Sequence, residues 1–226
     1  MAQALGDILP LAMGIAISPL AIIAVILMLI TPRARANGVS FLLGWMLGLA
    51  AVATVVLVVS ESLGVTSSPS HDHSWVGAVK LVLGLALLIL AGLELRRRPK
   101  PGQEPSTPKW MKELDRTTPP GALGLSVVLS SVGPKTFALG AVAALAVAQS
   151  SLSGADQALA VVVLVVIGSL GILAPVAVYL ARGRKAAERL QEWKDWLVAH
   201  DAAVAGALLL VFGVLLIGKG IIGLAG

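Results

Sequence analysis

The chain has 226 residues, 57% of them hydrophobic and only 13% charged, with 17 Lys and Arg against 12 Asp and Glu for a formal charge of +5. Soluble domains carry about 25% charged residues, so this chain has too few polar side chains to coat a water-soluble fold, and lipid must form part of its solvent. Cysteine is absent, which excludes disulfides, thiolate metal sites and thiol redox chemistry.

No basic n-region precedes the first apolar run. Residues 1–10 contain Asp7 and no Lys or Arg, and the run continues to Ile30, too long for a signal-peptide core, so cleavage is not expected. Six segments reach the roughly 20 apolar residues needed to cross a bilayer. They are residues 5–30, 39–60, 75–95, 120–148, 155–181 and 202–223. Their hydrophobicity is continuous, not alternating, which excludes barrel strands.

The first segment contains Ile15-Ala16-Ile17-Ser18-Pro19-Leu20, and a short loop with Arg33 and Arg35 follows it. The second carries Gly44-x-x-x-Gly48, a spacing that lets helices pack closely within one chain. The next loop has no Lys or Arg but holds His71-Asp72-His73. These groups are metal ligands by type, but a Ser/Pro-rich loop does not preorganise them, and no metal site is assigned to His71 and His73. After the third segment comes a basic, proline-rich linker, residues 96–119, with seven Lys and Arg; its composition reads as a flexible connection between two halves. The fourth segment contains Ser130-Ser131-Val132-Gly133-Pro134-Lys135-Thr136. The loop after the fifth is again basic. In it Leu190, Trp193 and Leu197 share one helical face, which reads as a short interfacial helix or as an extension of the fifth segment.

Fourteen of the 17 Lys and Arg fall in the three alternate loops, and the other two loops have none. By the positive-inside rule those three loops are cytoplasmic and both termini are extracytoplasmic. The basic character therefore reports topology in the plasma membrane, not nucleic-acid binding.

Three crossings per half force the halves, 1–95 and 120–226, into opposite orientations. The fold class expected is therefore an all-α membrane protein of six transmembrane helices arranged as two inverted three-helix repeats, as in many secondary transporters. Pro19 and Pro134 fall near the middle of matching segments. Each removes a backbone donor and frees a carbonyl one turn earlier, and irregular backbone at bilayer depth persists only beside protein or a water-filled cavity. Two facing broken helices thus mark a substrate site. The competing reading of each proline is a packed kink. Leu81-Val82-Leu83-Gly84 and Leu210-Val211-Phe212-Gly213 are a weaker echo between the third and sixth segments.

Three basic residues lie within segments. Lys80 and Lys219 are near outer ends and can snorkel to headgroups. Lys135 sits at mid-segment, where a lysine costs about 2.5–3.5 kcal/mol on insertion scales. No acidic residue is expected at equal depth, so Lys135 pairs with backbone carbonyls, water or an anionic substrate group, or sits neutral. Ser18, Ser130, Ser131 and Thr136 would supply hydrogen bonds beside it. Intramembrane hydrolysis lacks a base, since all three His fall in loops or at segment ends. Phosphate-binding loops are also missing. The chain is therefore expected to be no enzyme, and no cofactor is assigned.

Six segments, a basic linker after the third, and Ser18-Pro19 matched by Gly133-Pro134 resemble the lysine-exporter (LysE) superfamily. Within it, the chain is most similar to the sulfolipid- or peptidoglycolipid-addressing (Sap/GAP) proteins. The resemblance covers essentially the whole chain. It implies a role in moving cell-envelope glycolipid beside dedicated export machinery, with Ser18, Pro19, Gly133, Pro134 and Lys135 as the central site. Relatives that carry electrons place a Cys after each proline; Leu20 and Lys135 stand there instead, which excludes that branch. The expected partners are membrane lipids, lipid-export machinery and further copies of the chain. Export of an amino acid or metal cation, and a non-transporting scaffold, are the rival functions.

Overall fold

The computed structural model describes residues 2–64, 74–96, 117–150 and 152–225. His71, His73 and nearly all of the basic linker lie outside them. Regular structure in the described residues is helical: α1 (Ala2–Ala16), α2 (Pro19–Ile30), α3 (Ala34–Ser62), α4 (Ser74–Arg96), α5 (Pro119–Val132), α6 (Pro134–Ala148), α7 (Gly154–Gly168), α8 (Leu170–Arg182), a 3-10 turn at Gly183–Ala186, and α9 (Ala187–Ala225).

The two expected breaks are present. Ile17 N–H still bonds to Met13 O, but the ladder resumes only with Ile22 N–H to Ser18 O, 3.0 Å. Ser18 between them is extended, and α1 and α2 meet at 50°. At the second break Gly133 is non-helical, Phe137 N–H restarts the ladder on Gly133 O at 2.8 Å, and the bend is 65°. In both, proline at the first helical position cannot donate backwards, so the preceding helix ends.

A third break, at Ser169, was not expected from the sequence. The Ser169 hydroxyl donates to Val165 O at 2.6 Å, and the N–H groups of both Ile172 and Leu173 turn to Ser169 O. Gly168 O is left for the Trp45 indole, which donates to it at 3.3 Å. A Gly-Ser pair whose side chain competes for backbone acceptors is a recognised cause of kinks.

The amphipathic stretch after Gly183 is neither a separate interfacial helix nor part of the fifth segment. It is the start of α9, which runs unbroken for 39 residues. No proline occurs between Ala187 and Ala225, so nothing stops the helix.

Three helical stretches are long and apolar enough to cross a membrane: Ala34–Ser62, Trp75–Arg96 and Leu170–Leu224. The two bent pairs raise the number to five. Large apolar side chains such as Leu47, Val55, Ile89, Val128 and Ile222 face outward, as lipid solvent requires and water does not. The structure is thus that of a membrane-embedded, all-helical protein.

Small residues set the packing. Gly84 and Gly213, the glycines of the weak sequence echo, face one another: a Cβ on Gly84 would lie 2.9 Å from Gly213 O. Gly77 and Gly220 repeat the contact further along, so α4 and α9 touch backbone to backbone. Gly44 and Gly48 do the same for α3 against α5, where Ser126 and Ser130 fill the space that side chains would need. This is packing within the monomer, as the spacing predicted. Phe41 and Trp45 stack at the centre.

Lys219 and Lys80 do not simply reach outward. Lys219 Nζ pairs with Asp7 at 2.7 Å, and Lys80 Nζ donates to Gln149 Oε1 at 2.8 Å. These contacts gather the start of α1, the start of α4 and the ends of α6 and α9 at one end of the bundle. At the other end, Asn37 Nδ2 donates to Thr117 O at 3.0 Å, joining the α2–α3 turn to the start of α5.

Candidate functional site

The breaks lie at similar height. At about 1.5 Å rise per residue, the 15 residues of α1 and of α6 each put a break about 22 Å from the far end of its own helix. Lys135 is the second residue of α6, and its Nζ donates to Ile17 O at 2.7 Å. This contact across 118 residues brings the two breaks together. It also gives the lysine the negative end of the α1 dipole as a partner.

Each break exposes helix N-termini as well. Neither Ser18 nor Gly133 provides a side-chain cap. The N–H groups of Leu20 and Ala21, and of Lys135 and Thr136, precede the first helical bonds of α2 and α6. They point from the positive ends of two helices into the same region. Gly133 is required there, because a Cβ would sit 2.5 Å from Leu129 O.

The other residues expected at this site divide. Ser18 and Thr136 flank the breaks themselves, and Thr136 is buried. Ser130 and Ser131 turn back onto their own helix, both donating to Val127 O at 3.1 and 2.6 Å, with Ser130 packed on Gly48. Their hydroxyls serve α5 and its seam with α3, not the lysine.

The hydrogen-bond partner of Lys135 is a backbone carbonyl, not a carboxylate. Asp201 of α9 interacts electrostatically with Lys135, and Glu94 of α4 adds its charge to that of Asp201. Asp201 stands on the unbroken α9, which packs along α2. Among the described residues no three His, Asp or Glu gather as a metal site.

Residues 8–222 match the family model described as Sap, sulfolipid-1-addressing protein. The chain belongs to the Sap family. The match spans both broken segments and Lys135, so the whole site lies within the matched residues. No curated protein and no solved structure matches the chain. Sap membership and the apolar helices together make it a membrane protein tied to lipid export.

Proposed function

We propose that the chain is a transporter or export factor of the plasma membrane that moves a cell-envelope glycolipid, or a similar amphiphile, past a polar site between the two broken spans. The observation that carries this reading is the Lys135–Ile17 contact of 2.7 Å. A lysine held at mid-depth by a freed carbonyl, with open helix N-termini beside it, is suited to exchange that carbonyl for an anionic headgroup. Only the polar head needs this site, since acyl chains can stay in the surrounding bilayer. Moving the head means releasing Lys135 from Ile17, so straightening or rocking of the broken spans is the alternating step.

The mechanism proposed takes six crossings in inverted 3+3 repeats, as in the lysine-exporter superfamily. α7 and α8 form the fifth crossing, about 43 Å long at 1.5 Å per residue, and the turn at Gly183 separates it from the sixth, α9. The reading is supported by the packing of α3 on α5 and α6, of α7 on α1 and α8 on α2, and of α4 on α9. On this reading the basic loops are cytoplasmic and both termini are outside. The partners are membrane lipids, lipid-export machinery and copies of the chain, and no covalent chemistry is performed.

The test is export of the envelope glycolipid in a deletion strain complemented with Lys135→Met or Lys135→Arg, alongside movement of labelled lipid by the purified protein in liposomes. Loss in Lys135→Met with partial retention in Lys135→Arg is expected. Full activity in Lys135→Met removes the proposal. Export that fails in cells only when the 96–119 linker is changed would instead favour the scaffold.

A further inference from the structure

Two cavities open along α8, one helical turn apart. The first, of about 450 Å³, lies between the α2–α3 turn and the end of α8, and Arg33, Arg35 and Arg184 line it together with Tyr179 and Gly183. The second, of about 280 Å³, is apolar, bounded by Ile22, Ala174 and Pro175 and by Trp193 and Trp196 of α9. Their nearest lining residues on α8, Pro175 and Tyr179, are four positions, about 6 Å, apart on one face of the helix.

The basic cavity is a product of the fold. Gly183 has φ +60, a conformation that residues with a Cβ avoid. It reverses the chain so that Arg184 faces the α2–α3 turn. All three arginines are exposed, and none forms an ion pair with a carboxylate among the described residues. Three guanidinium groups around one space repel each other unless an anion lies between them. Their planar donor forks suit a phosphate or sulfate.

We infer that these adjoining cavities form one binding site for an anionic lipid. The three arginines hold the phosphate or sulfate headgroup, and an acyl chain lies in the groove against Trp193 and Trp196. Basic pockets between helices on the cytoplasmic side of membrane proteins recognise such headgroups, and the site takes its membrane side from the reading above. It is distinct from Lys135 and loads from the inner leaflet. A water-soluble anion would use the arginines but not the groove.

Native mass spectrometry of the full-length protein in detergent tests this. The probes are phosphatidylglycerol, phosphatidylcholine with the same chains, and glycerophosphate. The wild type should retain phosphatidylglycerol about tenfold or more over phosphatidylcholine. R33Q/R35Q/R184Q should abolish the preference, and R33K/R35K/R184K should keep part of it. Ala174→Trp, at an exposed position that fills the groove, should weaken retention. Equal retention of the two lipids overturns the inference, as does a preference unchanged in the glutamine variant or in Ala174→Trp. Displacement by glycerophosphate at concentrations matching the lipid makes this a simple anion site and also overturns it. Lys135→Met should keep the preference whether or not it transports, so the two readings fail separately; loss of the preference in Lys135→Met would move the lipid to mid-depth and refute the site.

Discussion

Lys135→Met separates a lysine kept for function from one kept for structure. The change removes a charge-assisted hydrogen bond to Ile17 O and leaves that acceptor without its donor, a loss of about 1–3 kcal/mol. It also removes a lysine from mid-segment, a gain of about 2.5–3.5 kcal/mol. Methionine matches the stem in length and flexibility, so packing changes little. The balance runs from about 2.5 kcal/mol stabilising to about 0.5 kcal/mol destabilising. Unfolding of the purified protein in mixed micelles should therefore show unchanged or raised stability. Lipid movement in liposomes should fall about tenfold to a hundredfold, as losing 1.5–3 kcal/mol of contact with an anionic head implies. A destabilisation above about 2 kcal/mol would make Lys135 a structural clamp. Wild-type transport would refute the argument altogether.

The remaining predictions concern the frame around that site. Trp45→Phe keeps the apolar ring but orphans Gly168 O, and should cost about 1–3 kcal/mol in the same unfolding assay; no change would mean the α7–α8 break does not depend on the indole. Gly84→Ala sets a methyl 2.9 Å from Gly213 O and should separate α4 from α9 at about 1–3 kcal/mol; a neutral result would mean the seam is loose. Asp7→Asn should cost no more than about 1 kcal/mol, because the Lys219 pair is half exposed, and the loss should vanish in high salt. A large, salt-independent loss would place that pair in a dry environment.

The breaks at Pro19 and Pro134 were legible because proline is chemically unable to donate its backbone nitrogen, whatever surrounds it. The break at Ser169 was not, since its cause lies in competition between a small hydroxyl and the backbone, resolved by a tryptophan 123 residues distant in sequence. The mid-depth lysine stood out by its charge. Its partner did not: Ile17 O is a backbone atom that any residue supplies. Ser130 and Ser131 were expected to attend the lysine because they are near it in sequence. A continuous helix would put Ser131, four positions earlier, on the face of Lys135, but the 65° bend at Gly133 breaks that register, and the hydroxyls meet Val127 O instead, with Ser130 against Gly48. Gly84 and Gly213 show the reverse, a faint internal echo that turned out to be a physical contact.

The unbroken α9 has a mechanical consequence. At 39 residues it is a strut of about 58 Å, roughly twice the hydrocarbon thickness of about 30 Å. Trp193 and Trp196 wall the apolar groove, Asp201 lies within electrostatic range of Lys135, Phe212 presses on Gly14, and Lys219 latches Asp7. Because one rigid rod carries all four, none can shift alone. A displacement at the groove end of the rod is thereby geared to the latch at its other end.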